Sequence, residues 1–174
     1  MLIGQKNRDG ALAQRTKVIG KMFEDWSPRL LEEIKTANTN GRVGTRLLSQ
    51  SDVARIWEIR LKPGQRLPFH RHVLNYFWTA LNAGIAHSRA ADGTTQEIEY
   101  YREDTKSFRY HQGEGMMHDL ENVGTTELLF VTVEFLDNEN PPLDFEHQST
   151  GTLYRSGWAQ PGPMLRHSLT MTQS

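Results

Sequence analysis

Three histidines occupy positions from which they can share one metal ion. His70 and His72 lie two residues apart in a stretch, 70–81, whose composition predicts a β-strand. Side chains two strand residues apart point to the same face at a separation of about 6.6 Å, and such imidazoles can converge on one ion at about 2.1 Å. His118 follows a glycine-rich turn and begins another predicted strand. Three neutral imidazoles with water form an open ligand set, which is typical of catalytic metal centres.

Other side chains near these histidines are candidates for chemistry. Tyr76 shares the predicted strand face of the first two histidines, so its phenol can act as a weak ligand, a proton donor or a hydrogen-bond donor to bound dioxygen. The alternative is a core aromatic residue with a paired hydroxyl. Glu114 lies in a tight turn four residues before His118, where it can act as a base or support a ligand. Arg66 is a further candidate, for binding a substrate carboxylate.

The remaining histidines and the nearby aromatic residues have simpler interpretations. Four histidines are expected at the surface or at the rim of a cavity: His87, His111, His147 and His167. Four aromatic side chains are interpreted as packing residues rather than as substrate contacts: Trp57, Phe69, Phe77 and Trp78.

Short strands between turns are predicted to position these residues. From Arg42 onwards, runs rich in β-branched and aromatic residues recur about every ten residues, which favours an all-β barrel or sandwich over β-α-β units. The predicted strands cover 43–49, 53–61, 70–81, 84–90, 94–101, 106–110, 117–121 and 127–136. Upstream, Ser27 as N-cap and Pro28 in the first turn predict a short helix over 27–37, with Gly41 as a left-handed stop.

The composition excludes several classes of function. The chain has 174 residues, with 20 Lys and Arg against 21 Asp and Glu, and the net charge of −1 gives no support for a nucleic-acid-binding protein. The absence of cysteine excludes disulfides, thiolate metal sites and a cysteine nucleophile. No apolar run approaches the roughly 18 residues of a membrane helix, and the N-terminus has no apolar signal segment. A soluble, cytoplasmic protein without membrane partners is therefore expected.

Two stretches of the sequence resemble the conserved motifs of the cupin superfamily. The first is Gly64-x5-His70-x-His72-x3-Tyr76-x7-Gly84, and the second is Gly113-x-Gly115-x2-His118-x3-Asn122. The family's first motif has a glutamate where this chain has Tyr76, and its second motif has a proline where this chain has Gly113. The resemblance implies a small single-domain cupin in a three-histidine variant, without the usual carboxylate ligand.

The resemblance also implies the fold and the domain organisation. The fold expected is all-β, a double-stranded β-helix (jelly-roll) barrel with a short N-terminal helix and a C-terminal extension. Residues 1–41 form the N-terminal arm, 42–136 the cupin barrel, and 137–174 the extension, which is expected to pack on the barrel or on a partner subunit. Because both arms are irregular yet rich in apolar residues, a homodimer is expected.

Cupins with three histidines include enzymes that cleave carbon–carbon bonds or oxidise thiols with ferrous iron. The resemblance therefore implies one divalent metal ion, with iron favoured, and a dioxygenase acting on a small anionic metabolite such as a β-dicarbonyl, a keto acid or a thiol. Zinc, nickel or manganese on the same histidines would support a non-oxidative isomerase or hydrolase instead. A barrel that binds a small molecule without turnover is the third alternative.

Overall fold

Ten β-strands and one α-helix form residues 15–145, the part of the chain that the computed structural model describes. The strands are β1 (Thr16–Gly20), β2 (Arg46–Gln50), β3 (Ala54–Leu61), β4 (Arg66–His72), β5 (Tyr76–Ala80), β6 (Gly84–Arg89), β7 (Thr95–Tyr100), β8 (Thr105–Phe108), β9 (Met116–Asn122) and β10 (Leu128–Phe135). The helix α1 spans Pro28–Thr36, and a 3₁₀ turn follows at Ala37–Thr39. No helix in these residues is long and apolar enough to span a membrane.

The strands form two antiparallel sheets of five. One sheet has the order β1-β7-β6-β9-β4, and the other has the order β2-β3-β10-β5-β8. Strands β3 to β10 pair as nested hairpins, because β3 pairs with β10, β4 with β9, β5 with β8 and β6 with β7. This nesting is that of a double-stranded β-helix, or jelly roll. The predicted fold class is confirmed.

The main hydrophobic core lies between the two sheets. In β10 every second residue from Leu128 to Glu134 is buried, and β3 alternates in the same way, as strands with one inward face do. Large apolar side chains of both sheets meet there: Ile59, Leu61, Leu67, Tyr100, Leu120, Leu128 and Phe130. At one end of this core the apolar side chains give way to polar ones.

The predicted strand over 70–81 is wrong, because it is two strands in different sheets. β4 ends at His72, β5 begins at Tyr76, and the residues between them cross from one sheet to the other. Asn75 holds this crossing: its carbonyl accepts from Phe135 N–H at 2.9 Å, and its side-chain oxygen accepts from Tyr110 N–H at 2.8 Å. Alternation along a single strand therefore does not explain why Tyr76 faces the same cavity as the histidines.

Residues 15–41 of the N-terminal arm are more ordered than the sequence predicts. Thr16–Gly20, part of the arm expected to be irregular, adds β1 to the edge of one sheet by pairing with β7. The helix is confirmed, and Ser27 Oγ accepts from Leu30 N–H at 3.4 Å as its N-cap. Leu30 and Ile34 of α1 pack with Phe69 on the outer face of the sheet that contains β4.

The interpretation of Gly41 as a left-handed stop is wrong. The helix ends instead through the 3₁₀ turn, and Gly41 does not have a positive φ. A Cβ atom at Gly41 would lie 2.7 Å from Leu143 Cβ, so the close approach of the C-terminal segment requires glycine here. Gly41 N–H donates to Asp144 O at 2.9 Å, and the Phe145 ring packs edge-on against Trp57 at 5.0 Å. The rest of the predicted extension, with His147 and His167, lies outside the described residues.

Candidate metal site

A β-bulge turns His70 into the barrel. Leu67 pairs with Leu120 and His70 pairs with His118, so three steps along β4 match two steps along β9. The extra residue places Phe69 on the outer face, while Leu67 and His70 both face inward. Proline fits here because a bulge leaves one ladder position without a partner, and Pro68 has no N–H to satisfy. Bulges of this kind redirect side chains beside functional sites.

The three predicted histidines come together inside the barrel. Nε2 of His70 lies 3.2 Å from Nε2 of His72, and one ring nitrogen from each of His70, His72 and His118 lies within 4.8 Å of the others. Two ligands about 2.1 Å from one ion at a tetrahedral angle are about 3.4 Å apart. The spacing of the first pair therefore fits a shared ion.

Hydrogen bonds fix the tautomers of two of these imidazoles. Nδ1 of His70 lies 2.8 Å from the Pro68 carbonyl, which can only accept, so Nδ1 carries the proton. Ser88 Oγ donates its one hydrogen to Asp119 O at 3.0 Å, and it therefore accepts from Nδ1 of His118, also at 3.0 Å. In a neutral imidazole the other nitrogen is then bare, so His70 and His118 both present an unprotonated Nε2.

Burial keeps the cluster neutral and leaves it partly unsatisfied. Desolvation lowers the pKa of His70 to about 4 and lowers the pKa values of His72 and His118 well below the ordinary value. Nε2 of His118, the nitrogen that its hydrogen bond leaves bare, is buried without a hydrogen-bond partner among the described residues; Nδ1 of His72 is also unpaired, but it is the ring nitrogen that does not face His70. Buried polar atoms are normally paired, so the unpaired Nε2 of His118 calls for a bound partner. Neutral imidazoles with free lone pairs are the form that binds a divalent metal ion.

Tyr76 lies against this cluster in an aromatic stack. Its ring stacks on His72 at 4.1 Å on one side and on Phe108 at 4.6 Å on the other. Burial is the main cause that raises the pKa of the Tyr76 phenol well above its ordinary value, so the hydroxyl remains protonated at neutral pH. The predicted neighbour of the histidines is thus in contact with them through its ring.

Several other candidates from the sequence lie outside the site. The Glu114 carboxylate is exposed and accepts from His111 N–H at 2.9 Å, so it holds its own turn. Arg66, a candidate for a substrate carboxylate, binds Asp119 at 2.9 Å and also Glu33 on the outer face of the sheet. His87 is near Glu97, and His111 is near Glu139. Neither histidine joins the cluster.

Comparison with models of protein families finds no match, and comparison with curated protein sequences finds none. Among solved structures, the chain is similar to a cupin domain from Bordetella pertussis, with 22% identity over 52% of this chain and 88% of that one and a TM-score of 0.45. It is also similar to a conserved protein with a double-stranded β-helix domain from Klebsiella pneumoniae, with 19% identity over 64% and 90% of the two chains and a TM-score of 0.44. Oxalate decarboxylase from Bacillus subtilis matches at 20% identity over 47% of this chain and 21% of that one, with a TM-score of 0.38.

The nested pairing of β3 to β10 decides the fold. The chain has the cupin fold. The first sequence motif runs from the turn before β4 to Gly84 at the start of β6, and the second runs through β9. Paired β4 and β9 bring the histidines of both motifs to one place, as the resemblance predicts.

Two adjoining cavities open beside the histidines of the cupin barrel. The inner one has a volume of about 40 Å³, and the outer one has a volume of about 470 Å³. Four residues line both: Tyr76, Trp78, Tyr100 and His118. The inner cavity is lined mainly by apolar side chains below the histidines, among them Ile59, Leu67, Leu120 and Phe130. The outer cavity is of the size that holds a small metabolite.

Two residues of this site were not found from the sequence, and a third has an additional role. Trp78 packs against the core, as expected, and also lines both cavities. Ser88 on β6 orients His118, and pairing of β6 with β9 was the signal that could have found it. Lys106 on β8 lines the outer cavity, opposite Trp78 in the strand register. Ser88 and Lys106 were not found because strand pairing, rather than distance along the sequence, brings Ser88 to His118 and Lys106 to the cavity wall.

Proposed function

We propose that this cupin is a mononuclear metal enzyme, specifically an iron-dependent dioxygenase of small anionic metabolites. The observation that carries the proposal is the convergence of three buried, neutral imidazoles, two of them with fixed bare nitrogens, in the wall of a cavity. His70, His72 and His118 would hold the ion. Imidazole ligands suit iron, zinc, copper and nickel.

The charge of the ligand set supports an anionic substrate. In residues 15–145 no carboxylate belongs to the cluster, so the ligands do not neutralise a divalent ion. The apolar wall of the inner cavity excludes water and so strengthens the attraction between opposite charges. Enolates of β-dicarbonyl compounds, keto acids and thiolates are substrates of this kind.

The chain's own residues would bind and orient such a substrate. An iron(II) ion in the site would supply the one-electron chemistry that reactions of dioxygen require. Tyr76 and Trp78 form the wall shared by both cavities, so they place the substrate against the histidines. The Tyr76 phenol, protonated at neutral pH, can donate a hydrogen bond from its hydroxyl group to a bound substrate or to dioxygen.

Metal analysis and oxygen uptake test this function. Protein purified without added metal is analysed for its metal content, and the iron-loaded form is assayed for oxygen uptake with a panel of β-dicarbonyl compounds, keto acids and thiols. We expect about one iron per chain and uptake with one substrate class. His72→Ala should abolish both, whereas His87→Ala, which removes a histidine of the same sheet outside the cluster, should leave both intact. No uptake with any substrate of the panel would contradict the oxygenase.

The same ligand set favours a second function, a non-oxidative isomerase or hydrolase. Three histidines with an open position are also a ligand set of catalytic zinc, which polarises carbonyl groups and lowers the pKa of bound water. Stoichiometric zinc, nickel or manganese in the purified protein, with turnover that persists without oxygen, would identify this function in place of the first.

A further inference from the structure

Lys106 places a positive charge at the outer cavity. Of the side chains that line the two cavities in the described part of the chain, it is the only lysine or arginine. It lies on β8, an edge strand of its sheet, directly opposite Trp78 of β5, so its side chain stands at the mouth of the barrel. Lys106 and Phe108 are two residues apart and share this face of β8.

A continuous aromatic stack joins Lys106 to the histidines. The Lys106 ammonium lies 5.0 Å from the centre of the Phe108 ring, Phe108 stacks on Tyr76 at 4.6 Å, and Tyr76 stacks on His72 at 4.1 Å. The edges of the stacked Tyr76 and Phe108 rings line the outer cavity and so form an apolar wall between the histidines and the cation. A ligand lying along this surface can contact both ends.

The Lys106 ammonium has no carboxylate partner within residues 15–145. Other basic side chains near the barrel are paired, for example Arg15 with Asp104 and Arg89 with Asp119. The acidic residue that lines the same cavity, Asp92, uses Oδ1 to accept from Thr94 N–H at 2.9 Å in its turn. The positive charge of Lys106 is therefore available to a ligand.

We infer that Lys106 determines substrate specificity by binding a second anionic group, so that the cavity takes a short dianion with an apolar middle. This inference rests on the proposed function, in which the first anionic group binds at the histidine site. The outer cavity of about 470 Å³ accommodates such a molecule, and Val18, Ile98 and Phe108 in its wall contact the apolar part. Short dicarboxylic acids and their keto derivatives belong to this class.

Binding of dicarboxylates to the zinc-loaded 174-residue chain tests the inference, because zinc prevents oxidative turnover. Succinate, glutarate and adipate are compared by calorimetry with butyrate, valerate and hexanoate, which match them in length but have one carboxylate. We expect at least one dicarboxylate to bind about tenfold more tightly than its partner, since a hydrogen bond between charged groups contributes about that much. Lys106→Met should remove this preference.

A matched control shows whether the position of the lysine matters or only the loss of one positive charge. Lys17→Met removes a lysine from β1, beside Thr16 and Val18 of the cavity wall, but Lys17 itself does not line the cavity. This variant should keep the dicarboxylate preference. Equal loss in both variants, an unchanged preference in Lys106→Met, or no preference in the parent protein would overturn the inference.

Failure of the proposed function is visible separately in the same experiment. If the parent protein binds no zinc, the metal site is contradicted, and the carboxylate series is then measured on the metal-free protein. A preference that depends on Lys106 there still supports the anion site, and its absence overturns it.

Discussion

Asp119 and His118, which are neighbours on β9, point to opposite faces of one sheet and differ in whether their polar atoms have hydrogen-bond partners. Asp119 faces outward and is 0% exposed, yet its carboxylate is saturated: Oδ2 accepts from Arg66 and Arg89 at 2.9 Å each, and Oδ1 accepts from Arg89 N–H at 2.8 Å. His118 faces inward, and its Nε2 is buried without a partner among residues 15–145. One face of the strand satisfies its polar groups, and the other leaves them open.

The paired polar groups on the outer face support the fold, whereas the unpaired histidine nitrogens on the inner face are suited to binding a ligand. Arg66 also binds Glu33 of α1, and Glu33 accepts from Phe69 N–H at 2.8 Å, so the outer network fastens the helix to the bulge of β4. That bulge aims His70 into the barrel. An unsatisfied buried polar group costs free energy and is retained where a ligand will satisfy it. The hydrogen-bonded network on the outer face thus stabilises the bulge that positions His70 on the inner face.

The strongest test of this contrast replaces an inner group with an apolar one of similar size. In His72→Leu we expect metal affinity to fall about a thousandfold, since each ligand contributes roughly 3 to 4 kcal/mol to sites of this kind. The metal-free variant should be as stable as the parent or more stable by about 1 kcal/mol, because the buried, unpaired Nδ1 is removed. Calorimetric metal titration and urea unfolding measure the two effects. A large loss of stability would mean that the inner cluster is structural.

The outer network should respond in the opposite way. Asp119→Asn leaves Arg66 and Arg89 without their shared negative charge, so we expect the free energy of unfolding to fall by about 3 to 5 kcal/mol. Glu121→Gln is the control, because Glu121 is more exposed and binds Arg89 alone; its cost should stay below about 1 kcal/mol. Urea unfolding of both variants decides the point. Equal effects would contradict the central position of Asp119.

Glu134 is a buried carboxylate on β10 that makes the stability of the fold depend on pH. Its buried carboxylate accepts from Trp57 Nε1 at 2.9 Å, and burial raises its pKa to about 7. The folded state therefore holds a proton that the unfolded chain has lost above its ordinary value near 4.5. The stability that this proton contributes is complete at low pH and is lost as pH rises to about 7. Relative to Glu134→Gln, the parent should lose about 2 to 3 kcal/mol between pH 5 and pH 8. Urea unfolding at each pH measures this difference, and a constant difference would contradict the raised pKa.

The sequence predicted the histidine cluster and the strand-rich barrel because both depend on local patterns. Spacing placed His70 and His72 on one face, and turn residues marked most strand ends. It did not predict that the chain changes sheets between His72 and Tyr76, since alternation shows which residues share a face but not which strands pair. The role of Gly41 depends on the approach of Leu143, about a hundred residues away in sequence, which no local pattern contains.

Strand pairing also hid the residues that complete the site. In the sequence, Ser88 and Lys106 look like ordinary strand residues. Their roles arise from strand pairing: β6 pairs with β9, which brings Ser88 to His118, and β8 pairs with β5, which brings Lys106 to the cavity wall. For Tyr76 the sequence predicted the location but not the contact. Its position in the motif predicted that it lies near the histidines. Its stacking on His72 could not be predicted, because it depends on the change of sheet at Asn75 and on the packing of Phe108.

The smallest expected effect comes from Ser88, which connects the two faces because its hydroxyl accepts from His118 and donates to the carbonyl of Asp119. Ser88→Ala leaves Nδ1 of His118 without its acceptor, so the imidazole can adopt the tautomer that protonates Nε2. Loss of such a supporting hydrogen bond lowers metal affinity about tenfold. Ser88→Thr keeps the hydroxyl and should restore the affinity, which a purely steric role would not do. Metal titration of the three proteins measures the order: parent and threonine variant together, alanine variant weaker. If alanine matches the parent, the tautomer is set by the metal and not by Ser88, and the open face of β9 is less prepared for its ligand than its geometry indicates.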